Sequence, residues 1–165
     1  MRVPFSPPRM DKKMADAVLD TLYSGWITTG PKTRKLEEEL TKYTGGKATV
    51  CLNSATAGLE LALRWLGVKE GDEVILPAYT YCATANVVMH CGATPVLVDV
   101  GDDFNIDISK IEAAITNRTK VIMPVDIAGM PIDYDELKEL LARPSVRNMF
   151  NPNSDQQSKL GRIMV

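Results

Sequence analysis

The sequence predicts an α/β fold with a mostly parallel sheet flanked by helices, and three observations lead to this class. Beyond residue 46, short runs rich in Val, Ile and Leu alternate with helical patterns. The runs are apolar throughout, as strands buried on both faces are. A helix-length segment separates each run from the next, which is the spacing of parallel βαβ units.

Residues 1–45 are predicted to form an N-terminal arm and two helices. Residues 1–9 are punctuated by prolines and are expected to be extended. Asp11 is placed to cap the first helix. Pro31 suits the first turn of the second helix, and Gly45 is placed to end it.

Residues 46–165 are predicted to form an incomplete α/β domain. Strands and helices alternate in the order KATVCLN, SATAGLELALRWLG, EVILP, CATANVVMHCG, TPVLVDV, DISKIEAAI, TKVIMPVD and DYDELKELLA. The last helix opens with a capping box, Asp133 with Glu136. Residues 143–160 are polar and turn-rich and are predicted to form a long exposed loop. GRIMV then has the pattern of an opening strand, or of a short edge strand that closes the domain.

Composition excludes several classes of protein. The chain has 165 residues, of which 45% are hydrophobic and 24% are charged, as in soluble globular domains. The net charge is −2 and no long basic run occurs, so neither nucleic acid nor an anionic membrane is an expected partner. No apolar stretch approaches the roughly 20 residues of a membrane span, and the N-terminus lacks the apolar core of a signal peptide.

The cysteines and the histidine give no sign of a metal site. Cys51, Cys82 and Cys91 form no CxxC pair, and their odd number argues against a disulfide framework. This pattern favours a reducing cytoplasm. His90 is the only histidine and follows an apolar run near a helix end, which favours a structural role. One histidine also leaves little room for a Ser-His-Asp device or a His-rich metal site.

Two turns at the predicted ligand edge carry hydroxyl or aromatic side chains. In a parallel sheet, the C-terminal ends of the strands and the N-termini of the following helices face the ligand crevice. Ser54 and Thr56 could hold a phosphate there, although the residues alone favour a plain helix cap by Ser54. The spacing of a P-loop is absent. Tyr79 and Tyr81 could stack on a planar heterocycle or belong to the core, and neither alternative is favoured.

Two further segments are less specific. Asp126 follows a predicted strand and could bind a ligand, but a turn-capping role is favoured. The loop SGWITTGPK contains a Trp, two Thr and a Gly between two predicted helices. Taken alone, this composition favours a simple helix–helix connection.

In their order along the chain, these segments resemble the DegT/DnrJ/StrS family of sugar aminotransferases, which are pyridoxal-phosphate enzymes of the aspartate-aminotransferase fold. The resemblance covers residues 2 to about 142 and rests on SGWITTGPK, NSATAGLELAL, GDEVILPAYTYCATAN, GATPVLVDV, AAITNRTKVIMPV and AGMP. It implies part of the large domain of a fold type I enzyme. GWITTGPK and SATAG are most similar to enzymes that aminate C4 of UDP-linked 4-keto sugars.

The resemblance implies a cofactor site and a substrate site. Ser54, Ala55 and Thr56 match the segment that binds the phosphate of pyridoxal 5'-phosphate, and Tyr81 matches the aromatic residue that lies on the pyridoxal ring. The implied substrate-binding residues are Trp26, Thr28, Thr29 and Asn86. The implied reaction transfers an amino group from glutamate to a nucleotide-linked keto sugar, for cell-surface polysaccharide or lipopolysaccharide. The cofactor acts as the electron sink.

The resemblance also implies that the catalytic groups lie outside this sequence. In relatives, the acidic residue that pairs with the pyridine nitrogen follows a strand that matches GRIMV, and the Schiff-base lysine lies further on. The chain ends at Val165, before both, and Lys47, Lys69 and Lys120 match no catalytic position. We therefore predict no catalytic residue, an absent C-terminal domain and no transaminase activity from these residues alone. For the full-length protein the family implies a homodimer.

Three other interpretations stay open. A sugar 3-dehydratase of the same family has a His in place of the Schiff-base lysine, and the deciding residue would lie beyond Val165. A truncated, non-catalytic binding or partner fragment would carry the same motifs. An unrelated nucleotide-binding α/β domain could use SATAG to hold a phosphate.

Overall fold

In the computed structural model, which describes residues 6–165, the chain divides after Cys51 into two units. Residues 1–5 of the predicted arm lie outside the described residues. The first unit contains two helices. The second unit contains the sheet and the remaining helices.

The two helices of the first unit begin and end where the sequence predicts. Helix α1 spans Lys12–Tyr23, and the Asp11 carboxylate caps it by accepting the N–H of Met14 at 3.0 Å. Helix α2 spans Pro31–Thr44 with proline in its first turn. Gly45 ends α2 in the left-handed conformation, with φ 69°, which glycine adopts without steric cost.

The strand predicted for KATVCLN is wrong. Residues 48–52 belong to no strand, and within the described chain no neighbouring strand pairs with them. A strand needs such a partner for its backbone hydrogen bonds. Here the Cys51 N–H donates instead to the Glu37 side chain at 2.9 Å, and Val50 is 71% exposed.

The second unit is built on a parallel sheet, so the predicted α/β class is confirmed. Strands β1 (Glu73–Pro77), β2 (Thr94–Val98) and β3 (Thr119–Ile122) lie in the order β2-β1-β3, and both pairings are parallel. Met164 adds a parallel bridge to Val121 on the open side of β3. GRIMV therefore pairs with β3 through this one bridge, which fits an opening strand and a short edge strand alike.

Helices cover both faces of this sheet. Helices α3 (Ala55–Trp65) and α4 (Ala83–His90) share a buried cluster with one set of alternate strand residues. Helices α5 (Ile108–Ala114) and α6 (Tyr134–Ala142) share another cluster with the opposite set. The first set is Val74, Leu76 and Val121, and the second is Ile75 and Ile122. This alternation follows from the two-residue period of a strand.

The N-termini of these helices carry the expected caps. The Ser54 hydroxyl accepts the N–H of Ala57 at 3.1 Å. The Asp133 carboxylate accepts the N–H of Glu136 at 2.9 Å, which is the first half of the predicted capping box. Each such cap satisfies an amide that would otherwise lack an intrahelical partner.

The segment 143–160, predicted as a long exposed loop, is mostly exposed but only partly a loop. This segment contains two short helices, α7 (Pro144–Arg147) and α8 (Asp155–Leu160), and it buries Val146 and Gln157. Its polar side chains find partners elsewhere in the unit. The Ser154 hydroxyl donates to the Leu66 carbonyl at 3.0 Å, for example. Polar side chains can be buried when they are hydrogen-bonded in this way. The polar composition of the segment was therefore not sufficient evidence for a loop.

Candidate cofactor site

The N-terminus of α3 lies at the edge of the sheet where the strands end. Residues 66–72 connect α3 directly to the start of β1 at Glu73. At about 1.5 Å per helical residue and about 3.3 Å per strand residue, α3 and β1 have similar lengths, roughly 16 Å. The first residues of α3 therefore lie at the C-terminal edge of the sheet, which is the ligand edge of α/β folds.

Two backbone amides at this helix end are free to bind an anion. The Ser54 hydroxyl accepts a hydrogen bond from the N–H of Ala57, and the Ser54 carbonyl accepts one from the N–H of Gly58 at 3.2 Å. Among the described residues, the N–H groups of Ala55 and Thr56 have no acceptor. Ser54 and Ala55 are exposed, so a ligand can approach them.

The geometry at this helix end fits a phosphate monoester. Two amide donors lie at the positive end of a helix dipole, and Thr56, in the first turn, carries a hydroxyl. The small side chain of Ala55 leaves the backbone accessible. The cap by Ser54, which the residues alone favoured, is confirmed. It leaves the donors of Ala55 and Thr56 available and so does not compete with an anion.

The two tyrosines after β1 differ in their surroundings. Tyr81 precedes α4 and is 77% exposed, so a face of its ring is accessible to a planar ligand. Tyr79 is 56% exposed and packs on Phe104, with ring centroids 5.4 Å apart. Neither ring belongs to the core, so that alternative is excluded for both.

The residues predicted to bind substrate fall in both units. Asn86 lies in the first turns of α4 and is exposed, on the same helix that Tyr81 precedes. Trp26, Thr28 and Thr29 belong to the first unit, where the Trp26 ring N–H donates to the Thr29 carbonyl at 3.1 Å. The ring lies so close to Gly30 that an added Cβ would come within 2.6 Å of it. The loop is thus ordered by its own contacts.

Asp126 has the turn-capping role that the residues favoured. Its carboxylate accepts the N–H of Ile132 at 3.1 Å and the hydroxyl of Tyr134 at 3.1 Å. Burial, and the hydrogen bond to Asp126, raise the pKa of Tyr134. The carboxylate thereby organises the loop that follows β3.

His90 joins two helices at the surface. Its Nδ1 lies 3.0 Å from a Glu60 carboxylate oxygen, so that it links α4 to α3. Hydrogen bonds from Arg64, and next from His90, lower the pKa of Glu60. This contact agrees with the structural role predicted for His90.

Two of the lysines predicted to be non-catalytic lie at the opposite edge of the sheet. Lys120 stands near the start of β3, is 3% exposed, and donates to the carbonyls of Asn117 and Asn151 at 2.9 and 2.6 Å. Lys69 precedes β1 and donates to the Asn153 carbonyl at 2.9 Å. Burial lowers the pKa of Lys120, a property that reactive lysines also have. Its position and its used donors nevertheless separate it from the crevice.

Sequence reasoning missed Phe104 and Asn105, which follow β2. Phe104 contacts Tyr79, and the Asn105 side chain, 3% exposed, bonds to the loop after β3. Both stand in a polar turn, where an Asn is expected for local reasons alone. The sequence therefore carried no signal for their longer-range contacts.

Residues 6–165 contain neither a candidate metal centre nor a helix suited to spanning a membrane. No group of three or more His, Cys, Asp or Glu side chains is arranged to hold a metal ion there. In the same part of the chain, no helix has both the length and the apolar character needed to cross a bilayer.

Comparison with proteins of known sequence identifies one family. The DegT/DnrJ/EryC1/StrS aminotransferase family matches residues 8–147. A UDP-4-amino-4-deoxy-L-arabinose–oxoglutarate aminotransferase from Shewanella sediminis is 47% identical over 139 residues. The match covers 84% of this chain but 36% of that enzyme, so the chain spans little more than a third of this relative's length.

Solved structures give the same result. Spr1654 from Streptococcus pneumoniae, assigned as a sugar aminotransferase, superposes in its PMP-form with a TM-score of 0.94 and 51% identity. The superposition covers 99% of this chain and 41% of Spr1654. 3-Amino-5-hydroxybenzoic acid synthase matches with a TM-score of 0.76 and 35% identity, over 81% of this chain and 35% of the synthase.

Spr1654 is also known in a PLP-form, so pyridoxal phosphate is a cofactor within this group of proteins. The family match extends over the sheet, over both tyrosines and over the free amides at the start of α3. On these grounds the chain belongs to the DegT/DnrJ/EryC1/StrS aminotransferase family.

Proposed function

We propose that this chain supplies the phosphate-binding and ring-contacting part of the pyridoxal-phosphate site in a sugar aminotransferase. One observation carries the proposal: α3 starts with two free amides at the ligand edge, and Tyr81 is exposed at that edge. The N–H groups of Ala55 and Thr56, with the Thr56 hydroxyl, bind the phosphate. Ser54 caps this end of α3, and Tyr81 lies against the pyridine ring.

The proposed substrate is a nucleotide-linked 4-keto sugar, with glutamate as the amino donor. The Shewanella relative, which is named for a UDP-linked amino sugar, supports this substrate class. Trp26, Thr28, Thr29 and Asn86 would contact the sugar nucleotide. When bound, the cofactor accepts and returns the amino group. The proposed setting is the synthesis of cell-surface sugars in the cytoplasm by a homodimeric enzyme.

The site can be tested with pyridoxamine phosphate, because this form of the cofactor has an amine and forms no imine with lysines. Replacing Ala55 with proline removes one amide donor at the first helical position, where proline is well tolerated. Ser54 already has the extended backbone that a following proline requires, with φ −161° and ψ 157°. Loss of one charge-assisted hydrogen bond should weaken binding about tenfold, as measured by titration calorimetry.

A control is Asp155→Pro, which places proline at the first position of α8, after the extended residue Ser154, and also removes one carboxylate. It should leave the affinity for pyridoxamine phosphate unchanged. Unphosphorylated pyridoxamine should bind the wild-type chain weakly. Equal affinity of wild type and Ala55→Pro, or no saturable binding by the wild type, would contradict the proposed site.

A further inference from the structure

We infer that Asn105 is a positioning residue of the cofactor crevice, because its side chain ties the turn after β2 to the loop after β3. The inference rests on the proposed function for the identity of the ligand. The connection between the turn after β2 and the loop after β3 is seen directly in the contacts of the described residues.

The Asn105 carboxamide uses both of its polar atoms. Its Nδ2 group donates to the Asp103 carboxylate at 3.1 Å and to the Met130 carbonyl at 3.3 Å. Its Oδ1 accepts the N–H of Ile127 at 3.2 Å. A buried amide that makes three such bonds holds its neighbours in fixed positions, since any displacement leaves a buried polar group unpaired.

The two bonds to the second loop enclose a strained turn. Ala128 lies between Ile127 and Met130 with φ 53°, and Gly129 follows with φ 80°. A left-handed alanine is sterically strained, so surrounding contacts must hold it in place. Asn105 supplies contacts on both sides of this turn. Asp126, at the start of the same loop, can then accept hydrogen bonds from Ile132 and Tyr134.

The other end of the connection reaches the aromatic residues after β1. Phe104 directly precedes Asn105, has φ 65°, and contacts the ring of Tyr79. Tyr79 is two residues from Tyr81, the proposed ring contact. Asn105 therefore links the segments that follow all three strands at the ligand edge. Loss of its side chain should disturb the surface that faces the pyridine ring and leave the start of α3 intact.

The test compares Asn105→Ala with the wild type by two independent readouts. Hydrogen exchange needs no ligand and should show faster exchange at the amides of Ile127 and Ile132. The affinity for pyridoxamine phosphate should fall about fivefold, roughly the effect of one neutral hydrogen bond. The affinity for inorganic phosphate, which probes the start of α3 alone, should not change.

Asn148→Ala, at the exposed end of α7, is the matched control and should alter neither readout. Asn105→Asp loses the donors to both Asp103 and Met130 and places a second carboxylate beside that of Asp103. Because like charges repel, its loss of affinity should be at least as large as that of Asn105→Ala. Unchanged amide exchange in Asn105→Ala would show that Asn105 does not hold the loop after β3 in place. Faster exchange with unchanged pyridoxamine phosphate affinity, or an equal loss for inorganic phosphate, would show a merely structural role. A wild type that binds neither ligand would overturn the proposed function. The exchange data would still show whether Asn105 connects the turn after β2 to the loop after β3.

Discussion

Replacing Lys120 with methionine should lower the free energy of unfolding by about 3 kcal/mol, as when one partner of a buried ionic group is removed. The ammonium group donates to two carbonyls, those of Asn117 and Asn151, and lies 4.0 Å from the Asp72 carboxylate. Without it, both carbonyls lose a donor and buried Asp72 loses its nearest cation. Urea denaturation of wild type and variant measures the difference.

The exposed residue Lys138 provides the control. It pairs with Asp135 at 2.8 Å on the surface of α6. Since exposed pairs contribute little, Lys138→Met should change stability by less than about 1 kcal/mol. A Lys120→Met variant no less stable than Lys138→Met would contradict the stabilising role of the Lys120 ammonium group.

The pH dependence of the Lys120 effect has a definite sign. Burial lowers the pKa of Lys120 in the folded state below its ordinary value of 10.5. Between the folded and the unfolded pKa, the unfolded chain binds more protons, so raising the pH stabilises the fold. In this alkaline window the wild type should gain stability relative to Lys120→Met.

Replacing Gly67 with alanine should lower the free energy of unfolding by about 3 kcal/mol, combining left-handed strain of about 1–2 kcal/mol with overpacking of about 1–3 kcal/mol. Gly67 follows α3 with φ 73°, and an added Cβ would lie 2.5 Å from the Ser154 Cβ. The new methyl group would therefore push the 143–160 segment away from α3. Urea denaturation measures this loss too.

Gly71 separates the two contributions. It also has a positive φ, of 88°, but an added Cβ there would have no other atom within 4 Å. Gly71→Ala should therefore show the strain alone, about 1–2 kcal/mol. If Gly67→Ala costs no more than Gly71→Ala, the close packing of Ser154 on α3 is incorrect.

The elements predicted correctly are those whose signals are local. Pro31 and Gly45 mark both ends of α2, and the apolar run EVILP needs no other information to be a buried strand. KATVCLN failed because a strand is completed by a partner, which its own residues do not specify. The 143–160 segment failed for a similar reason. Asn153 bonds to Asp72, 81 positions away in the sequence, and no local pattern reports such a contact.

The candidate site shows the same division. The cap by Ser54 is local and was predicted from residue type, whereas the roles proposed for Thr56 and Tyr81 came from the family resemblance. Asn105 was not predicted, because its partners Ile127 and Met130 lie on another loop. Residue type at a turn indicates how the chain bends there. The distant loop to which such a residue forms hydrogen bonds depends on the three-dimensional fold.

The central claim is that the phosphate of the cofactor binds the free amides at the start of α3. An NMR titration of the ¹⁵N-labelled chain with pyridoxamine phosphate tests it most directly. We expect the Ala55 and Thr56 amides to show the largest shifts and to saturate together with the Tyr81 ring signals. Saturating shifts confined to another place, such as the basic groove beside Arg147 and Arg162, would contradict the claim.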